Sequence, residues 1–232
     1  MKVLNIKSSD LQQFKLVTNG AESKIYLYQD KIIKIYENPE DYNIKKIKYL
    51  SLVQQYIENT ILPYGIVNID ETFSGCLQYY FKNYSEFDVL NKNIPFEQVM
   101  NYFKMFLKSL NELVENKIYP VDLFYGNVLV SLIQKDVQII DLDGNGSIIQ
   151  KSENKKLLQE SLELYISTIL ECLYYKDIDK EWFINYKSLL ERYPFKKEYI
   201  DIIINKKITF EFLNEFLNYI KKDKNKILKL KH

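Results

Sequence analysis

The sequence predicts an α+β fold in two parts, an antiparallel, strand-rich front and a helix-rich back. Short segments rich in Val, Ile and Tyr, separated by turn residues, fill the chain as far as Tyr84. Beyond that point the apolar residues recur at the spacing of amphipathic helices. No internal repeat or low-complexity linker interrupts the chain, so the change of pattern near residues 82–88 marks the joint. The expected units are residues 1–83 and 84–232.

In the front unit, FKLVTNG, SKIYLYQD and KIIKIYE read as three antiparallel strands, with turns at Asn19-Gly20 and Gln29-Asp30. Ile44, Ile47, Val53, Tyr56 and Ile57 give residues 40–59 a helical period that ends before Pro63. YGIVNIDETF and GCLQYYFKNY return to strand-like alternation. In the back unit, Pro95 opens a helix whose stripe runs through Val99, Phe103, Phe106, Leu110 and Leu113. NVLVSLI and DVQIID are short strands joined by a turn at Gln134-Lys135-Asp136, and NKKLLQESLELYISTILECLYYK is a long helix apolar enough to be buried. Further helices are expected around 181–192, 196–204 and 209–221.

Composition narrows the chemistry. Hydrophobic residues make up 47% and charged residues 27%, as in soluble globular proteins, and no apolar run nears the ~20 residues that cross a bilayer. The opening MKVLNIKSSDLQQF reaches charge too early for a signal peptide, so a cytoplasmic location is expected. His232 is the only histidine, which sets aside histidine-based hydrolysis and histidine-ligated zinc. A net charge of +1 and one arginine, Arg192, argue against a nucleic-acid partner. Cys76 and Cys172 show no metal spacing and read as small buried hydrophobes. The lysine-rich tail KKDKNKILKLKH reads as a solvated terminus.

Three polar clusters stand out by their order. The first is Gly20 and Ser23 in the turn NGAES, followed by Lys34 within the strand KIIKIY. Alone, a strand lysine is usually a rim residue and a turn glycine is commonplace. The second is YPVDLFYGNVLV, where Asp122 and Asn127 lie between a long helix and an apolar strand, residue types that turns favour anyway. The third is IIDLDGNG, with Asp141 and Asp143 at the end of a strand. Each has a bland explanation singly; the ordered set is harder to explain that way.

Together these residues resemble the protein-kinase-like superfamily, including its aminoglycoside- and choline-phosphotransferase branches. Lys34 matches the third-strand lysine, VDLFYGN the catalytic loop D-L-x-x-x-N, and IIDLDG the metal-binding D-F-G or I-D-x-D segment. ESLELYISTILECL is similar to the buried core helix of the second lobe, with Glu163 at its acidic position. The likeness runs from about Phe14 to about Leu173 and implies a two-lobed fold with residues 1–83 as the nucleotide-binding lobe. It implies an ATP- and Mg²⁺-dependent phosphotransferase acting on a hydroxyl, foremost an atypical bacterial-type Ser/Thr protein kinase. A small-molecule kinase and a nucleotide-binding pseudokinase are the alternatives. Lys34 would neutralise phosphate charge, with Gly20 and Ser23 over the phosphates. Asn127, Asp141 and Asp143 would hold Mg²⁺, and Asp122 would take the acceptor hydroxyl's proton.

The pattern also departs from the family. Pro120 and Val121 stand where the catalytic loop usually carries histidine and arginine, and no activation segment follows Asp143. Phe124 stands where a cation usually assists transfer. Glu40, Asp41 and Glu58 are all candidates for the helical carboxylate that pairs with the strand lysine.

A calcium loop is the competing reading, since Asp141, Asp143, Asn145 and Gly146 fall at its first, third, fifth and sixth places. Its twelfth place is Ser152 in place of a bidentate carboxylate, and the segment entering it reads as a strand where a calcium hand needs a helix.

Overall fold

The structure is a computed structural model in which residues 1–20, 22–87, 94–174 and 195–223 are described. Six strands, β1 (Lys2–Ile6), β2 (Lys15–Asn19), β3 (Ser23–Tyr28), β4 (Lys31–Tyr36), β5 (Gly65–Ile69) and β6 (Thr72–Tyr79), form one sheet in the order β1-β5-β6-β4-β3-β2. The β2–β3–β4 antiparallel run is as expected, and Gln29 at φ 57° makes the β3–β4 turn. Strand β1 is an addition. It pairs parallel with β5 at the sheet edge, and its five residues KVLNI carry too few alternations to reveal it in sequence.

Helix α1 (Ile44–Val53) is shorter than the 40–59 expected. The Asn43 side chain accepts from the Lys45 and Lys46 amides and so starts the helix late. The flanking segments Pro39–Asp41 and Gln54–Tyr56 are 3₁₀ turns.

After the sheet, β7 (Ser85–Glu86) pairs with β9 (Val128–Ser131), and β9 pairs with β10 (Asp136–Ile139) around a turn in which Lys135 has φ 57°. A separate two-stranded ribbon joins β8 (Ile118–Pro120) to β11 (Ser147–Ile149). The helices are α2 (Phe96–Glu115), α3 (Lys155–Tyr174), α4 (Lys197–Ile204) and α5 (Phe210–Lys222). The helix expected at 181–192, with Arg192, lies outside the described residues, as does the tail from 224 to His232.

The apolar stripe of α2 is buried as its spacing requires. Phe103, Phe106 and Leu110 pack in one core with Tyr165 and Ile169 of α3 and Phe216 of α5, each fully buried side chain contributing roughly 1.5–3 kcal/mol. Leu50 and Val53 of α1 enter that core, while Ile47 packs with Tyr36 and Cys76 of the sheet. One short helix thus fixes the sheet to the helices, and the whole is a mixed α+β protein. Cys76 and Cys172 are both buried, as expected. Among the described residues no helix is long and apolar enough to cross a membrane.

Candidate functional site

Strand alternation decides where Lys34 goes. Ile33 lies on the face of β4 that packs with Val67 and Leu77, so Lys34 and Tyr36 share the opposite face, where Lys34 is paired with Cys76 of β6. The two strands approach so closely there that a Cβ on Gly75 would lie 2.0 Å from the Lys34 carbonyl oxygen. Lys34 is 7% exposed. Such a lysine needs partners, and it finds two: its Nζ donates to Asp141 Oδ1 and, at 3.1 Å, to Asp143 Oδ1.

The two aspartates are not equivalent. The Asp143 side chain is fully buried, and its second oxygen accepts the Tyr36 hydroxyl at 2.6 Å and the Cys76 thiol at 3.6 Å. The Asp141 side chain is 45% exposed and lies on the wall of an open cleft of about 520 Å³. Burial disfavours the Lys34 charge, but Asp143 and Asp141 outweigh it and hold the ammonium above the usual lysine range. Burial likewise opposes the Asp143 charge, yet Lys34 and the Tyr36 hydroxyl pull its pKa below the usual carboxylate value.

Both oxygens of Asp143, one of the expected metal ligands, thus accept from protein donors inside the fold. The same contacts answer the open question about the lysine's carboxylate partner. Glu40 and Asp41 lie exposed at the 3₁₀ turn before α1, and Glu58 pairs with Lys108 on the surface. Asp143 pairs with Lys34 instead, from the strand-end segment. A calcium loop is unsupported for the same reason, since its third ligand faces Lys34 and the entering segment is β10.

Asp122 and Asn127 line the same cleft as Lys34 and Asp141, with Gly20, Ser23 and Phe124 also lining it. The Asn127 amide donates to the Asp122 carbonyl at 2.8 Å and to its carboxylate at 3.3 Å, so loop and side chain are set together. Asn127 O accepts the Ile140 amide at 3.0 Å, which ties this loop to the residue before Asp141. Asp141 itself has φ 65°, a left-handed conformation that a non-glycine residue holds at a cost of order 1–3 kcal/mol. Burial and then the Asp141 charge raise the Asp122 pKa, against the Asn127 hydrogen bond that lowers it.

The loop is anchored by α3. Ser161 Oγ donates to Pro120 O at 2.8 Å, and Thr168 Oγ1 donates to Leu123 O at 3.4 Å. Glu163 points elsewhere and lies 3.5 Å from Lys206. Ser23 is 7% exposed, and Gly20 N donates to Ser23 O at 2.9 Å, so the first turn is tight.

Several residues of the site were absent from the sequence reading. Tyr36 was findable, because it lies two positions after Lys34 and must share its face. Tyr42 stacks on the Tyr36 ring at 3.5 Å between centroids and donates from its hydroxyl to Glu22 Oε2 at 3.2 Å. Lys46 of α1 donates to the carbonyls of Gly144 and Ser147. Burial lowers its pKa to about 8, with Asp143 and Asp141 acting in the opposite sense. Neither Tyr42 nor Lys46 belongs to a recognisable spacing.

Chemically, the cleft brings together a buried cation, an exposed carboxylate, an amide side chain and a carboxylate of raised pKa. Hard oxygen donors of this kind suit Mg²⁺, which is commonly held by one or two carboxylates while waters and phosphates complete its shell. Among the described residues no group of three or more His, Cys, Asp or Glu side chains forms a dedicated metal cage. The chain matches no protein-family model, and no curated protein matches it in sequence.

Proposed function

We propose that this chain is a nucleotide- and Mg²⁺-dependent phosphotransferase acting on a hydroxyl acceptor, built as a two-lobed protein-kinase-like fold. One observation carries the reading: Lys34 from the sheet meets Asp141 in the same cleft that Asp122 and Asn127 line. Residues distant in sequence thereby assemble the groups that phosphoryl transfer needs, namely charge neutralisation, metal ligation and a proton acceptor.

A bound Mg²⁺–ATP supplies the phosphoryl group and much of the positive charge that stabilises its transfer. The roles of the chain follow from placement. Asp141 and Asn127 would hold the metal. Lys34 would contact phosphate oxygens, its charge secured by Asp143 whatever Asp141 binds. Asp122 would orient the acceptor hydroxyl and take its proton, which a raised pKa favours. An atypical Ser/Thr protein kinase is the preferred acceptor class, because the strand-turn-strand and the long α3 core follow the protein-kinase order.

Phe124 supports a second reading. It lines the cleft at 37% exposed, and an aromatic ring cannot neutralise a transferring phosphoryl group. A nucleotide-binding module without transfer fits that residue. Thermal unfolding with and without Mg²⁺–ATP tests what both readings share. Ligand at a hundredfold excess over Kd stabilises by about 2.7 kcal/mol, and an unchanged transition would remove both readings.

A further inference from the structure

Lys46 is half-buried on the first turn of α1, and its ammonium donates to two backbone carbonyls, Gly144 O and Ser147 O. Those carbonyls bracket the turn that leaves Asp141 and Asp143. The turn is closed tightly: a Cβ on Gly146 would lie 2.0 Å from Asp141 O, and Ser147 Oγ donates to Leu142 O at 2.7 Å. It also meets the segment entering Asp122, because the Val121 amide donates to Gly146 O at 3.0 Å. Lys46 therefore grips a turn that touches both the Asp141 segment and the residue preceding Asp122. Two carbonyls bridged by one ammonium cannot be matched by an apolar side chain of equal length, which would leave both acceptors without their donor.

We propose that Lys46 is a positioning residue that couples the placement of α1 to the alignment of Asp141 with Asp122. The inference rests on the phosphotransferase reading for its catalytic consequence, but not for the coupling itself. Because α1 also carries Ile47 against the sheet and Leu50 in the helical core, a shift of α1 would move the Lys46 ammonium and release the turn.

The test compares Lys46→Met with Lys46→Arg, which keeps several donors, and Lys46→Gln, whose shorter, neutral amide cannot bridge both carbonyls. Amide hydrogen exchange of Val121 and of residues 142–147 is read without any ligand. The Met variant is expected to exchange at least about tenfold faster there, with the β3–β4 amides unchanged, and the Arg variant to remain near wild type. In a phosphoryl-transfer assay the Met variant is expected to lose about tenfold or more in kcat with less than threefold change in KM for ATP, and Arg to restore most of it. Exchange at Val121 that is unchanged in the Met variant overturns the coupling. If the Met variant unfolds, an unchanged Val121 in the Gln variant overturns it equally. Should wild type transfer no phosphate while the exchange pattern holds, the phosphotransferase reading fails and the coupling stands.

Discussion

Lys34 Nζ and Asp143 Oδ1 lie 3.1 Å apart with side chains 8% and 0% exposed, so the cation of the cleft is held by a carboxylate behind it. A buried pair of this kind adds little when replaced whole by apolar residues, but breaking it leaves a charge without compensation. Asp143→Ala is therefore expected to cost about 3–5 kcal/mol of stability. Asp141→Ala, at the exposed end of the same lysine, should cost no more than about 1 kcal/mol. Urea denaturation of both variants checks the difference, and equal losses would contradict the division of roles between the two aspartates.

The same pair sets a pH dependence. The Asp143 pKa is depressed in the folded protein, so its stabilising contribution is present above the unfolded value near ~3.9 and is lost as pH falls through the folded value. Stability of wild type measured from about pH 5 downward should fall more steeply than that of Asp143→Asn, whose position 143 has no proton to gain. Parallel curves would show that the carboxylate is not held down by Lys34 and Tyr36.

Gly75 gives a prediction of a different kind. A methyl group there would press on the Lys34 carbonyl from 2.0 Å, so β6 must move away from β4 or Lys34 must shift. Gly75→Ala is expected to destabilise by about 1–3 kcal/mol and to weaken Mg²⁺–ATP binding together with stability. Full binding in a destabilised Gly75→Ala would show that Lys34 need not keep its place.

Ser161 of α3 reaches the Asp122 loop and Glu163 does not. Ser161→Ala removes the buried donor to Pro120 O, leaving an unsatisfied acceptor at about 1–3 kcal/mol, and should loosen the Asp122 loop. Glu163→Gln, with only the exposed Lys206 opposite, should change stability by less than about 1 kcal/mol. Thermal melts of the two variants settle the order.

What could be read from the sequence depended on the range of the interaction. The strands β2 to β6 and the helices α2, α3, α4 and α5 follow from local periodicity, and their positions were legible. The start of α1 depended on a cap by Asn43 inside a longer apolar period, and β1 on a five-residue parallel pairing with β5. The Lys34, Asp122, Asn127 and Asp141 set was visible because its order along the chain is distinctive. Asp143 was visible in the same segment, but its pairing with Tyr36 and Lys34 shows only in the fold. Lys46 could not be found by any spacing, because it binds backbone carbonyls, which every residue possesses.

Phosphate transfer from Mg²⁺–ATP by wild type and by Asp122→Asn is the most direct measurement of the proposed activity. The expected result is Mg²⁺-dependent transfer by wild type and a loss of at least about a hundredfold in Asp122→Asn, with nucleotide binding retained. Equal transfer rates in the two proteins, or no transfer by a wild type that binds Mg²⁺–ATP, would contradict it.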